Sequence, residues 1–256
     1  MPPNKRLEIW ADSFKEGEWF VENLARVYDG TCERGYRYNF QPTFTFYLDT
    51  KPRFEAVVYG DYKGWEPLPE LVEEVISYGK PDIILFDREA NKIILGVEET
   101  AAVPTGNQSL QRLERVLFSA QKRIPFIYLV SEYGLHKDGG LRRSSIWPSY
   151  LALKLSTQFQ APSLTLLYSD REHPEDYDYG GGVRDLATIS HLYVLEWLGE
   201  QVKDEKEAAL ARVYREMGEF ILEHTGDISP NLPGRALLTD ASFLHFIAER
   251  TAERDA

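Results

Sequence analysis

Two short apolar runs, Ile83-Ile84-Leu85-Phe86 and Ile93-Ile94-Leu95-Gly96-Val97, are separated only by the turn-forming stretch Asp87 to Asn91 and Lys92. Two strands joined so closely form a β-hairpin. With the turn centred near residues 89–90, the numbers of paired residues total about 179 or 180, so Asp82 faces Val97 or Glu98. Lys80-Pro81-Asp82 opens the first strand and Val97-Glu98-Glu99-Thr100 closes the second. Two carboxylates therefore meet at the open end of one hairpin, where like charges directly opposite are destabilising. A hard, oxygen-seeking cation such as Mg²⁺ resolves that repulsion. Strand alternation puts Glu98 and Thr100 on one face and Glu99 on the other; a bulge makes Glu99 the inward carboxylate instead.

The rest of the chain supplies a framework for this hairpin. Ser13-Phe14-Lys15-Glu16 reads as a capping box, followed by Trp19, Phe20, Leu24, Val27 and Tyr28 at helical spacing and a stop at Asp29-Gly30. Residues 36–48 alternate aromatic and polar residues as a strand interrupted at Pro42, and Arg53 to Tyr59 forms a second strand. Pro67 to Tyr78 is helical, with Gly79 as its breaker. After the hairpin come a helix from Asn107 to about Lys122, strands at Ile124 to Val130 and Leu164 to Tyr168, and helices over 186–201, 204–224 and 238–253. This order indicates an α/β fold, a mixed sheet flanked by helices, with a helical C-terminal extension. The natural boundary is the acidic loop Asp170 to Asp185, giving a core over 1–170 and an extension over 185–256 for dimerisation or partner docking. Its Gly180-Gly181-Gly182 lacks the Lys-Ser/Thr of a phosphate loop and reads as a connector.

Composition limits the chemistry. The formal net charge of −12 argues against a nucleic-acid partner, because phosphate binding runs on Lys and Arg. The distribution reverses that inference: residues 103–154 carry +5 between segments that are all acidic. One cysteine, Cys32, closes no intramolecular disulfide, and the five histidines stand singly without metal-ligand spacing. No apolar run approaches a membrane span, and Met1 to Glu8 lacks an apolar signal core, so a cytoplasmic location is expected.

Pro81-Asp82, fifteen intervening residues, Glu98-x-Thr100 at the end of an apolar strand, then a helix and a strand, resembles the PD-(D/E)XK nuclease superfamily, the restriction-endonuclease-like group. The resemblance spans about residues 67–131. It implies a restriction-endonuclease-like mixed sheet and Mg²⁺-dependent hydrolysis of DNA, with Mn²⁺ able to substitute. It also implies that Asp82 and Glu98 ligate the metal, Glu99 being the alternative to Glu98. Thr100 holds the place at which this superfamily usually carries a Lys that helps activate water. Glu74, with its neighbour Glu73 competing, resembles an additional acidic residue supplied from a helix, and solvated surface charge is the plain alternative. The basic island resembles the accessory helix, with Gln111 at the catalytic centre and Gln108, Arg112, Arg115 and Lys122 toward DNA; Lys122 is also the candidate for a relocated Lys. Arg142-Arg143, between Gly139-Gly140 and Ser144-Ser145, suits backbone phosphates. Trp147-Pro148-Ser149-Tyr150 is read as a helix N-terminus packed on the core. The expected activity is DNA endonuclease in restriction or phage defence, by a homodimer, since cutting both strands takes two sites; RNA is not separable from DNA at this level. The alternative is a nuclease-fold module without catalysis that binds nucleic acid or a protein.

Overall fold

The computed structural model describes residues 5–100, 112–135 and 138–224. Among these, ten strands and six α-helices follow one another: β1 (Arg6–Ala11), α1 (Phe14–Val27), β2 (Thr31–Arg37), β3 (Gln41–Leu48), β4 (Lys51–Tyr59), α2 (Glu70–Tyr78), β5 (Ile83–Asp87), β6 (Lys92–Thr100), α3 (Leu113–Gln121), β7 (Phe126–Ser131), β8 (Tyr133–Leu135), β9 (Leu141–Arg143), α4 (Trp147–Phe159), β10 (Ser163–Tyr168), α5 (Gly182–Leu198) and α6 (Lys203–His224). Eight strands form one mixed sheet in the order β10-β7-β6-β5-β1-β4-β3-β2, and β8 and β9 form a separate small hairpin. β1 runs parallel to β4, and β6, β7 and β10 run parallel to one another, while β5 is antiparallel to both β1 and β6. The C-terminal ends of β1, β4, β6, β7 and β10 therefore lie along one rim, where β5 begins and β2 turns into β3.

The sheet is covered on both sides. α1 and α5 pack on one face through Phe20, Leu24, Leu186 and Ile189 against Leu7, Ile9, Leu85 and Val97. α2 and α3 cover the other, with Val72, Val75 and Phe118 against Trp10, Ile84 and Phe86. The helical stretch expected as an extension contributes, up to His224, to the same core: Val213, Met217, Phe220 and Ile221 of α6 share it with the strands. The expected 238–253 helix lies outside the described residues. No helix among the described residues is long and apolar enough to cross a membrane.

The hairpin forms with Ile83 opposite Val97 and Leu85 opposite Leu95, a register that brings Asp82 level with Glu98; the shift falls near the turn, between Leu85 and Phe86. Ser13 caps α1 by accepting from the Glu16 backbone N–H at 3.2 Å. The break expected at Pro42 falls earlier, at a turn through Tyr38 and Asn39, both left-handed. Pro42 sits inside β3 because the ladder to β4 starts at Thr43, so no donor is needed there. β1 has no counterpart among the sequence expectations. Its Glu8 is buried and accepts from Arg88 (2.7 and 3.0 Å), from Arg6 (3.0 Å) and from the Trp10 indole (3.0 Å), and of these partners Arg88 is invisible in the local pattern.

Gly180-Gly181-Gly182 forms a fixed corner. Gly180 and Gly181 have φ of 74° and 79°, and a Cβ on Gly182 would stand 2.4 Å from the Leu167 carbonyl oxygen. Glycine is required there so that α5 can start flush against β10. On α5, His191 packs edge-on to Tyr28 (5.6 Å between centroids), facing Glu200 and Asp29, and burial lowers its pKa from 6.5. Below that pH the unfolded chain takes up a proton that the fold resists, so stability is lost as pH falls. Wild type should therefore lose stability relative to His191→Gln between about pH 7 and pH 5 and parallel it above pH 7, read by urea unfolding.

Candidate active site

The rim between β1, β5 and β6 gathers the acidic residues. The Asp12 backbone N–H donates to the Asp82 carbonyl at 2.8 Å, which continues the β1–β5 pairing and sets the two residues side by side. One turn into α1, Glu16 points back to the same place. One carboxylate oxygen from each of Asp12, Glu16 and Asp82 lies within 4.8 Å of the others. All three are half-buried, and burial is the main reason the Asp82 carboxyl is pushed up to about 6, with Glu16 adding to it and the Glu99 N–H, Arg112 and Arg115 opposing. Asp82 is held in place by the Glu99 backbone N–H, which donates to Oδ2 at 2.6 Å. The Tyr62 hydroxyl donates to the Pro81 carbonyl, and the Lys80 ammonium pairs with Asp12 while lying 5.2 Å from the Tyr62 ring centroid.

Glu98 and Glu99 go to opposite faces, as alternation requires. Glu98 is fully buried on the α3 side, where Arg112 Nη1 donates to Oε1 at 2.5 Å and Arg115 pairs with the other oxygen. Arg112 also donates to the Glu99 carbonyl at 2.7 Å, which ties the start of α3 to the end of β6. Arg115 approaches because Gly79 has no Cβ; one there would lie 2.7 Å from Arg115 Cγ. Burial and Asp82 push the Glu98 carboxyl up to about 8 against the pull of the two arginines. Glu99 turns to the α1/α5 face, where Tyr177 donates to Oε1 at 2.7 Å and Tyr168 at 3.4 Å, their rings stacked at 4.6 Å. Its pKa is raised chiefly by burial, with Glu16 adding to it.

The remaining expected residues disperse. Thr100 is buried at the end of β6, and the Tyr168 hydroxyl donates to its carbonyl at 3.2 Å. Gln108 and Gln111 lie outside the described residues. Lys122 pairs with Glu74 at 2.6 Å, beyond the far end of α3 from Arg112 and about 15 Å along the helix from it. Arg142 and Arg143 belong to β9 rather than to a loop; Arg142 pairs with Asp138 at 3.0 Å, and the small hairpin follows β7 at the same rim as the carboxylates. Trp147 begins α4 and meets Tyr150 edge-on at 5.7 Å, a helix start packed on the core as expected.

Asp12, Glu16 and Lys80 escape sequence reading as site residues. In the local pattern Glu16 is half of a capping box, and Asp12 follows β1, which that pattern does not signal. Only the β1–β5 pairing reveals that the α1 start faces Asp82. Three carboxylates converging within bond-bridging distance are a donor set that suits a hard divalent cation. Glu98, paired to two arginines, suits it less. No family model matches the chain, and comparison with curated proteins finds no match.

Proposed function

We propose that this chain is a Mg²⁺-dependent phosphodiesterase with a restriction-endonuclease-like core, acting on DNA as an endonuclease in restriction or phage defence. The observation that carries this reading is the convergence of Asp12 and Glu16 on Asp82 at the open end of the β5–β6 hairpin. Asp82, Asp12 and Glu16 would hold the metal, and Glu99 stands on the same side of the sheet as α1, held by Tyr177. When bound, Mg²⁺ lowers the pKa of a coordinated water and neutralises charge on the phosphate. Asp12 orients Lys80, whose ammonium takes the place left by Thr100 as the cation beside the scissile phosphate. Glu98 anchors Arg112 and Arg115, which hold two guanidinium groups at the rim to steer the phosphate backbone. α1, α3 and α5 all begin at this rim, and helix N-termini favour anions. A homodimer supplies the second site needed to cut both strands.

The test is incubation of supercoiled and linear DNA, and of RNA, with Mg²⁺, Mn²⁺ or EDTA. Cutting with either metal and none with EDTA is expected, and Asp12→Asn with Glu16→Gln should reduce it at least about a hundredfold. Absence of cutting under every condition overturns the enzyme reading. The second reading is a nuclease-fold module that binds without cutting, favoured by the occupation of Glu98 by two arginines and by Thr100 in the position of the usual Lys.

A further inference from the structure

The rim that gathers the carboxylates continues across β4 to the β2–β3 turn, and there it changes character. Tyr36, Tyr38 and Phe40 around the turn, and Trp65 from the loop after β4, are 56, 57, 50 and 70% exposed. Four large aromatic side chains this open on one rim are unusual, because such rings carry most of a protein's burial energy when packed. They are not a loose scatter. The Tyr38 and Trp65 rings lie 5.7 Å apart, and Phe40 meets Phe14 edge-on at 6.4 Å. Phe14 opens α1 and lies between Asp12 and Glu16 in the chain, so the aromatic group and the carboxylate cluster share the start of α1. Tyr38 has φ of 53°, a left-handed conformation in which a bulky residue is costly and Gly or Asn would be free of strain.

Cations are interleaved with the rings. The Arg34 guanidinium lies 5.3 Å from the Tyr36 ring centroid. Arg6 and Arg37 share one carboxylate, Glu66, at 2.9 and 3.5 Å, and Lys63 is exposed beside them. Arg34 is countered by Glu18 at 2.5 Å and Glu22 at 3.7 Å. Separately exposed rings with cations between them are the chemistry of strand binding, in which bases stack and phosphates follow the positive groups. A flat apolar face, by contrast, suits a protein partner. From β5 to β3 is three strand spacings, about 14 Å. That equals the rise of roughly four stacked nucleotides.

We infer that Tyr36, Tyr38, Phe40 and Trp65 form a stacking platform that takes unpaired nucleobases of the strand whose phosphate lies at Asp12, Glu16 and Asp82. The inference rests on the nuclease reading for the identity of the strand. It adds a preference for substrates with a single-stranded segment, a flap, a gap or a frayed end, about four nucleotides to one side of the scissile phosphate.

The test is equilibrium binding, in EDTA, of a fluorescein-labelled single-stranded octanucleotide and of an abasic octamer with the same phosphates. Wild type is expected to bind the base-containing strand at least tenfold more tightly than the abasic one. Trp65→Ala and Tyr38→Ala are each expected to weaken binding roughly tenfold, and Trp65→Phe to restore it. Both rings are exposed, and circular dichroism checks that the fold survives. Equal affinity for the two strands, or variants that bind like wild type, overturns the platform. A change in the sedimentation of the protein alone, with oligonucleotide binding unaltered, overturns it in favour of self-association. The nuclease reading fails separately: ring-dependent binding without any cutting by wild type sinks the enzyme and keeps the platform.

Discussion

With the proposed metal-dependent cleavage, Asp82→Asn is expected to abolish cutting of DNA, by about a thousandfold or more, while leaving the protein as stable as wild type. In the proposed mechanism, loss of one charged ligand would remove several kcal/mol of metal and phosphate stabilisation, and each 1.36 kcal/mol is tenfold in rate. The fold survives because an asparagine amide oxygen can still accept from the Glu99 N–H that now reaches Asp82 at 2.6 Å. It also gains, because Asp82 lies beside Asp12 and Glu16 and its carboxyl is already pushed up to about 6. Removing one of three mutually repelling charges should hold the urea midpoint or raise it in metal-free buffer. Titration calorimetry with Mn²⁺ should show binding by wild type and none by the variant. A variant that still cuts, or binds Mn²⁺ with wild-type affinity, removes Asp82 from the proposed metal site.

Glu98→Ala is expected to behave in the opposite way, with a loss of about 3–5 kcal/mol in stability. Glu98 is fully buried and paired with Arg112 and Arg115, and the variant leaves two guanidinium groups without the carboxyl group they pair with. In a protein of this size that is a fall of roughly 6–20 °C in Tm. The coupled control is Glu98→Leu with Arg112→Met and Arg115→Met, which removes the whole triad and should recover most of the loss, since apolar packing replaces buried ion pairs at little cost. Urea unfolding of wild type, Glu98→Leu, Arg112→Met with Arg115→Met, and the combined variant closes a cycle and gives the coupling directly. If Glu98→Ala is as stable as wild type in EDTA but loses Mn²⁺ binding, Glu98 is a ligand and not an anchor. The pair of experiments thus separates two carboxylates that the hairpin places level with each other.

Much of the central region is legible from the chain alone. The hairpin follows from two apolar runs and a short polar turn, and the register comes out where the turn length puts it, with Ile83 opposite Val97. The α1 cap follows from Ser13 and Glu16. β1 is a different matter. Its apolar run is interrupted by Glu8, whose burial depends in large part on Arg88, eighty residues away. Local pattern cannot signal a charge made tolerable by so distant a partner. The same blindness affects Lys122, which the resemblance offers as a site residue and which pairs with Glu74.

The sequence by itself determines the hairpin, the alternation that separates Glu98 from Glu99, and the basic segment that follows an acidic one, because each depends on neighbours a few residues apart. Only the tertiary structure decides which carboxylates meet. The parallel and antiparallel neighbours of β1 bring the start of α1 to Asp82, and the crossover through α3 carries Arg112 and Arg115 to Glu98. Those encounters join residues up to seventy positions apart. They are set by strand order and helix packing, which minimise the exposed area of the whole core and leave no trace in local spacing.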